Sequence, residues 1–551
     1  MVGVAETIEL AVEHHQAGRL DKAENLYRQA LKSGPDNPTA LHALGVAAYQ
    51  RRQHGIAAEL VGKAIAISPE LPRFHNTLGL VLEALGQLEQ AIDAYRRAVQ
   101  LKPDFAEAYN NMAIALHTQG QYEEAVQSCK QAVLLKPDYA EAYNTMGYAL
   151  EKLHRYDEAV ENYTDAVRFK SDFAEAYNHL GVVLSGWGQH ARAIKSYSRA
   201  IQIDPDYSEA HWNRALSLLI SGRFAEGWKD YQWRRNTYLK MVTYPHRYDV
   251  PRWDGSRFVG KRLLVHYEQG FGDTIHFVRY LRMVKARGGT VIFEARKPLV
   301  GLLMQFQGID EVIEASFDQV PATKFDFHIS VMDLPGIFKT TLETVPADVP
   351  YIYADQIRAD YWHRRLCGSD FKVGIVWSGS PTYEKNYIRS CALAHFAPLA
   401  EIGGVKMYGL QKGRAAAQLK RLPGKPFAVD LADEFDSFSD TAAVIENLDL
   451  VISVDTSVIH LAGAMGKPVW VLLSAAPSWH WMLQRRDSPW YPTARLFRQK
   501  KLGEWDDVFN RVREELQMLV AGGIKSRLRI EEVKVSAPVQ QKTADFRERI
   551  F

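Results

Sequence analysis

The sequence predicts an all-α superhelix of short repeats followed by an α/β region of two parallel-sheet halves. Three observations carry that expectation. Pro35, Pro69, Pro103, Pro137 and Pro205 fall on one lattice with a step of 34 residues. From Lys261 onward the apolar pattern changes to short β-branched runs, glycine-containing loops and amphipathic helices. The stretch Val451 to Leu473, VISVDTSVIHLAGAMGKPVWVLL, reads as strand, loop, helix, Gly-Pro stop and second strand. Two buried strands around one helix form a βαβ unit and therefore a parallel sheet.

A chain of 551 residues has room for two to four domains with sizeable cores. Its 67 Lys and Arg against 65 Asp and Glu give a net charge of +2, which argues for neither a nucleic-acid nor a membrane-surface partner. Cys129, Cys367 and Cys391 are odd in number and far apart, so they suggest neither a disulfide framework nor a zinc site. The first residues are amphipathic and charged rather than signal-like, and no apolar run approaches a membrane span. The expectation is a cytoplasmic protein that is not integral to a membrane.

The repeats come first. Ala23, Ala91, Ala125, Ala159 and Ala193 keep the step of the prolines, as do Tyr27, Tyr95, Tyr163 and Tyr197, and Gly18, Gly86, Gly120 and Gly188. This resembles the tetratricopeptide repeat, two antiparallel helices per unit with Gly at the turn and Pro after the second helix. Six units run 4–37, 38–71, 72–105, 106–139, 140–173 and 174–207, and a seventh degrades after Gly222, so the solenoid is expected over 4–240. The recurring Tyr and Ala are packing residues. Asn76, Asn110, Asn144 and Asn178 also recur, in the first helix of successive units. The resemblance implies that these helices line a concave groove. There an amide that both donates and accepts can bracket the backbone of an extended peptide; solvated or locally bonded Asn is the alternative.

Residues 241–260 lose the register and read as a linker, packed by Tyr238, Tyr244, Tyr248 and Trp253 at and around it. The first α/β half, 261–355, begins with the buried strand Leu263 to Tyr267, followed by Glu268-Gln269-Gly270-Phe271-Gly272-Asp273-Thr274 and an amphipathic helix. Strands follow at 290–294, 311–313 and 325–329. The second half, 370–502, places Ser378-Gly379-Ser380 after the strand 372–377, with Lys385 and Arg389 beyond. It places Gln411-Lys412 after the strand 406–410. Small hydroxyl residues and Gly at a strand's carboxyl end allow close approach of a phosphate. Asp455-Thr456-Ser457 opens the helix of the βαβ unit, where free N–H groups and the dipole favour an anion. A terminal helix, 503–522, and a loosely ordered, charged tail, 523–551, complete the chain.

Val454-Asp455-Thr456-Ser457-x-x-His460-Leu461-Ala462-x-Ala464-x-Gly466-x-Pro468 resembles the signature of the heptosyltransferase-like glycosyltransferases (family 9). That resemblance implies a GT-B fold, two Rossmann-like halves facing across a cleft, with the terminal helix passing back across the first half. It implies a donor site of Ser378, Gly379, Ser380, Lys385, Gln411, Lys412, Asp455, Thr456, Ser457 and His460 around a nucleotide-sugar diphosphate, with Arg389 as an alternative cation. Asp273 matches the base that faces the acceptor hydroxyl, unless it only caps its helix. His276, one turn on, is a second acid/base candidate or a packed residue. The expected function is a metal-independent glycosyltransferase without cofactor, moving sugar from a nucleotide-sugar to a hydroxyl of a protein or glycan recruited by the groove. The same architecture resembles protein O-linked N-acetylglucosamine transferases, and a repeat scaffold with a non-catalytic transferase-like domain is the alternative of another class.

Overall fold

The computed structural model describes residues 3–237, 248–316, 319, 321–382, 386–421 and 426–522. Tyr238, Tyr244, residues 241–247 of the expected linker, Lys385 and the tail 523–551 lie outside the described residues. The chain divides into two compact units between Arg214 and Ala215.

The first unit is built of helix pairs: Val4–Gln16 with Leu20–Ser33, Pro38–Gln50 with His54–Ile67, Pro72–Ala84 with Leu88–Leu101, Ala106–Thr118 with Tyr122–Leu135, Ala140–Lys152 with Tyr156–Phe169, and Ala174–Gly186 with His190–Ile203. A further helix, Ser208–Ile220, spans the division. The turn inside each pair needs a residue with positive φ. Gly18, Gly86, Gly120 and Gly188 supply it, and where the lattice lacks glycine Arg52 and His154 adopt φ 60° instead.

The lattice tyrosines pack where one helix backbone lets them in. A Cβ at Gly79 would stand 2.4 Å from the Tyr95 ring, and one at Gly181 2.5 Å from the Tyr197 ring. Gly147 faces Tyr163 in the same way. The repeat that carries Cys129 in place of tyrosine carries Ala113 in place of glycine, both fully buried in the same cluster. The smaller side chain leaves room for the extra methyl group.

The second unit holds two all-parallel sheets. In the first, β1 (Arg262–His266), β2 (Thr290–Ala295), β3 (Glu311–Glu314) and β4 (Phe327–Ser330) run in the order β3-β2-β1-β4. In the second, β5 (Phe371–Val376), β6 (Val405–Gly409), β7 (Ala428–Asp430), β8 (Leu450–Val454), β9 (Val469–Leu473) and β10 (Ala494–Arg498) run in the order β10-β9-β8-β5-β6-β7. Nine of the ten strands were expected from their apolar runs, with Phe427-Ala428-Val429-Asp430 as the short strand that becomes β7; β10 was not. It is the last strand of its sheet, paired with β9 and bridged at Arg495 to Asp487, and its two arginines break the apolar run that reveals a buried strand.

The helix Asp506–Ala521 does not pass back across the first half as expected. Val508, Phe509, Val512 and Leu516 are buried in the core of the second sheet with Phe371, Val373, Phe396 and Phe497. Its apolar stripe is satisfied by that sheet's own face.

A buried charge cluster ties the segment after the repeats to the first sheet. The helix Phe224–Tyr231 leads into a single 3₁₀ turn, Gln232–Asn236. There Arg234, fully buried, donates to both carboxylate oxygens of Glu268 at 2.8 and 2.6 Å and to Asp333 at 2.9 Å. Arg252 approaches the other oxygen of Asp333 at 2.9 Å, and the Ser330 hydroxyl donates to Glu268. The Arg234 and Arg252 charges outweigh burial at Asp333 and hold its carboxyl well below the usual range. That depressed value stabilises the fold above the ordinary carboxylate pKa and is lost only as the pH falls through the depressed one. Replacing Arg234 by alanine leaves buried Glu268 without its counter-charge and Asp333 with Arg252 alone, a change of about 3–5 kcal/mol. Urea unfolding of Arg234→Ala should show the transition of the second unit lowered accordingly, with that of the repeat array unmoved.

Candidate active site

Two loops at the carboxyl ends of the central strands of both sheets meet in the second unit. β1 runs through Tyr267, Glu268 and Gln269 into the short helix Phe271–Phe277. β8 runs through Asp455 and Thr456 into the helix Ser457–Ala464. Gly272 is the point of closest approach: a Cβ there would lie 2.8 Å from His460 Cδ2 and 3.5 Å from Ser457 Cα. Glycine lets one helix start rest on the other. Phe271 adds a ring contact to Phe438 of the second half at 5.2 Å.

Asp273 is half-buried in this junction and accepts from the Gly270 N–H at 2.9 Å. The cap expected as the alternative to catalysis is therefore made, and it leaves the other carboxylate oxygen outside that bond. Burial, with the Asp455 and Glu268 carboxylates adding to it, outweighs the Gly270 bond and pushes the Asp273 carboxyl up to about 6. Burial also raises the carboxyl of Asp455, against the opposing pull of Arg389.

Of its two readings, His276 takes the packed one and not the catalytic one. It is fully buried, so it cannot reach a substrate as a second acid/base; its ring lies between Trp490 and His480 and its Nδ1 is 2.9 Å from the Tyr491 hydroxyl. Helical spacing put it on the side of Asp273, but the helix is only two turns long and that side faces the core. His460 lies 3.0 Å from the same hydroxyl through its Nδ1, while its Nε2 faces Asp455 Oδ1 at 3.9 Å. Burial drives its imidazole down to about 3, so the ring is neutral.

The helix Ser457–Ala464 has Thr456 at its N-cap without a side-chain bond to the following turn. The Thr456 hydroxyl instead sits 3.1 Å from that of Ser453. The first-turn N–H groups thus keep their anion-binding character. Beside them, the loop after β5 places Ser378 against Ser390 at 3.4 Å, and Gly379 N–H donates to Ser390 at 3.2 Å. Arg389 crosses directly over Gly379, where a Cβ would stand 2.5 Å from its Nε. Ser380 turns outward to Thr382 at 2.7 Å.

Gln411 and Lys412 are used by the protein itself. Gln411 is 5% exposed; its Oε1 accepts from Trp377 and Ser378 N–H at 3.2 and 2.9 Å, and its Nε2 donates to Lys412 O at 3.0 Å. It shapes the serine loop rather than presenting an amide to a nucleotide. Lys412 donates its ammonium to the carbonyls of Ala432, at 2.8 Å, and Phe435. Carbonyls left open around a short turn attract a cation.

In the first unit the Asn ladder is mostly internal. Asn110, Asn144 and Asn178 are 5%, 8% and 6% exposed. Asn178 Oδ1 accepts from Asn213 at 3.1 Å, Asn76 Oδ1 accepts from Asn111 at 3.1 Å, and Asn144 Oδ1 pairs with His179 at 3.0 Å. Each of these three bonds joins the first helices of successive repeats, whereas the Asn110 Oδ1 is buried without a hydrogen-bond partner among the described residues.

Sequence reading did not find Tyr491, which joins the two histidines, or the Asn386 and Ser390 partners of the serine loop. Tyr491 stands in a segment whose tryptophans read as packing, and no local spacing links it to His460.

Comparison with known proteins is decisive for the classes of domain. Residues 8–72, 84–120, 104–172 and 174–207 match tetratricopeptide repeat families. Residues 399–501 match glycosyltransferase family 9 (heptosyltransferase). The chain carries tetratricopeptide repeats and a family 9 segment. The chain also has a curated relative: Protein FlbA of Caulobacter vibrioides is 28% identical over 336 residues, covering 56% of this chain and 55% of that protein. The chain thus spans about half the length of the curated relative it matches. Among solved structures, a MamA structure is 25% identical with a TM-score of 0.28, over 30% of this chain and 96% of that one. A tetratricopeptide repeat protein from Parabacteroides merdae is 17% identical with a TM-score of 0.37, over 43% and 95%. No described helix is long and apolar enough to cross a membrane.

Asp273 has a measurable signature. Its carboxyl titrates near 6 in the fold, against about 3.9 unfolded. Because the folded value is raised, the contribution to stability is present below the unfolded value and lost as the pH rises through 6. Between those values the urea midpoint of the second unit should fall more in the wild type than in Asp273→Asn, whose curve is the flatter.

Proposed function

We propose that the second unit is a GT-B glycosyltransferase that moves a sugar from a nucleotide-sugar to an acceptor hydroxyl. The observation that carries this reading is the meeting of two loops at Gly272. The Asp273 carboxylate and the anion-binding start of the helix Ser457–Ala464 come together at the carboxyl ends of two parallel sheets. The family 9 match over 399–501 supports the donor half.

In this reading the nucleotide diphosphate rests on the N–H groups after Thr456 and on the hydroxyls of Ser378 and Ser457. Arg389, whose charge already acts on Asp455 and His460, offsets the leaving group. Asp273 takes the proton of the attacking hydroxyl as the bond to the anomeric carbon forms and the bond to the diphosphate breaks. A carboxyl raised to about 6 holds a proton more readily than an ordinary one, yet is mostly ionised at neutral pH. Leaving-group charge is met by protein groups, so no divalent cation is required; transfer should persist in a chelator. The repeat array recruits the acceptor, a protein or a glycan, and the protein works in the cytoplasm.

The test is a screen of nucleotide-sugars by thermal shift and by transfer, followed by two variants. Asp273→Asn should keep donor affinity while kcat falls by roughly 10²–10⁴, and the rise of kcat/KM through pH 6 seen in the wild type should vanish. Arg389→Ala should instead weaken binding of the nucleoside diphosphate by about 1.5–3 kcal/mol. Donor binding with no transfer or hydrolysis in the wild type would make the unit a binding scaffold.

A further inference from the structure

The two imidazoles at the junction share one phenol, and that sharing restricts their protons. Tyr491 is fully buried, with its hydroxyl 2.9 Å from His276 Nδ1 and 3.0 Å from His460 Nδ1. Burial holds both rings neutral and keeps the phenol protonated. A hydroxyl has one proton to give. It can donate to one Nδ1 only, and it can accept from an Nδ1–H. Three arrangements satisfy both bonds: it donates to His460 and accepts from His276, it donates to His276 and accepts from His460, or it accepts from both, its own proton going to Tyr351.

Two features of the site choose among them. His460 Nε2 faces the Asp455 carboxylate at 3.9 Å, where an N–H is favoured and a lone pair is repelled. His276 Nε2 is buried with no hydrogen-bond partner. An unmet acceptor is tolerated there better than an unmet N–H. Both point the same way: Tyr491 donates to His460 and accepts from His276.

We propose that Tyr491 is a positioning residue whose hydroxyl, bonded to His276 and His460 at once, locks His460 in the tautomer that presents Nε2–H to Asp455 and the donor pocket. The lock spans both halves, since His276 lies on the helix that carries Asp273 and His460 on the helix that opens with Ser457. A neutral, fixed N–H beside the diphosphate site is a hydrogen-bond donor that needs no reorganisation when charge builds on the leaving group. Its effect on turnover rests on the transferase reading; the tautomer itself does not.

The experiment uses the full chain labelled with ¹⁵N-histidine, His460 being assigned by loss of its signal in His460→Gln. In the wild type, His460 should report a proton on Nε2. Tyr491→Phe keeps the ring and removes both bonds; His460 should then report a mixture of tautomers. In the same variant kcat for any donor the wild type turns over should fall about tenfold, with the donor KM changed much less. His276→Leu is the second variant: it removes one partner but leaves the Tyr491 proton for His460, which should stay on Nε2. A wild-type His460 protonated on Nδ1 would overturn the proposal. So would Tyr491→Phe with His460 still wholly on Nε2, because Asp455 alone would then set the tautomer. If the wild type transfers no sugar, the transferase reading fails while the labelled spectra still decide this one.

Discussion

The geometry of the second unit depends on one buried guanidinium. Arg234 has no exposed surface, and its N–H groups are spent on Glu268, Asp333 and the carbonyl of Tyr231. Desolvating these charges is expensive, and the cluster compensates by near-complete pairing rather than by its mere presence. Its position gives it reach. Glu268 directly precedes the turn that carries Gly270, Gly272 and Asp273, so the ion pair fixes the start of that turn. The same carboxylate adds to the electrostatic pressure that raises the Asp273 carboxyl. One interaction therefore fixes the start of the turn and adds, beside burial and Asp455, to the proton affinity of the group that faces the junction.

The junction is built from contacts that tolerate little change. Gly272 against His460 leaves no room for a methyl group, and Arg279 behind it is shared by several partners. Its guanidinium donates to the carbonyls of His276, Pro346 and Trp490 and to the Tyr351 hydroxyl, with the Tyr351 and Tyr491 rings on its faces. The residues nearest the presumed chemistry are thus held by side chains drawn from both sheets' connections. That is a requirement if a site assembled from two halves is to keep ångström-level order.

The repeat array was legible because its information is periodic: a residue's environment recurs, so Pro, Gly, Ala and Tyr nodes speak together. The strands were legible where both faces are buried, and β10 was not because Arg495 and Arg498 break its apolar run. Local spacing could place Asp273 at a helix start, and the structure keeps it there. It could not tell that the same helix turns His276 inward, since that depends on Tyr491 from far along the chain. Nor could it tell that Gln411 would spend its Oε1 on Trp377 and Ser378 N–H and its Nε2 on the carbonyl of Lys412. An Asn repeated at fixed spacing signals a recurring environment, but sequence does not say whether its partner is a ligand or the next repeat; Asn76, Asn144 and Asn178 bond to the next repeat and Asn110 Oδ1 does not.

The glycine and tyrosine that interlock in three of the repeats have a consequence for how such a chain can change over generations. Adding a methyl group at Gly79 alone drives it into the Tyr95 ring, and shrinking Tyr95 alone opens a void. At Ala113 and Cys129 both nodes are exchanged together and both are buried in one cluster, while Gly45 with Val61 and Ala11 with Tyr27 are single exchanges. The heritable module that can be duplicated, lost or shuffled without a misfit is the whole helix pair. An array assembled from such modules can lengthen or shorten without redrawing its core.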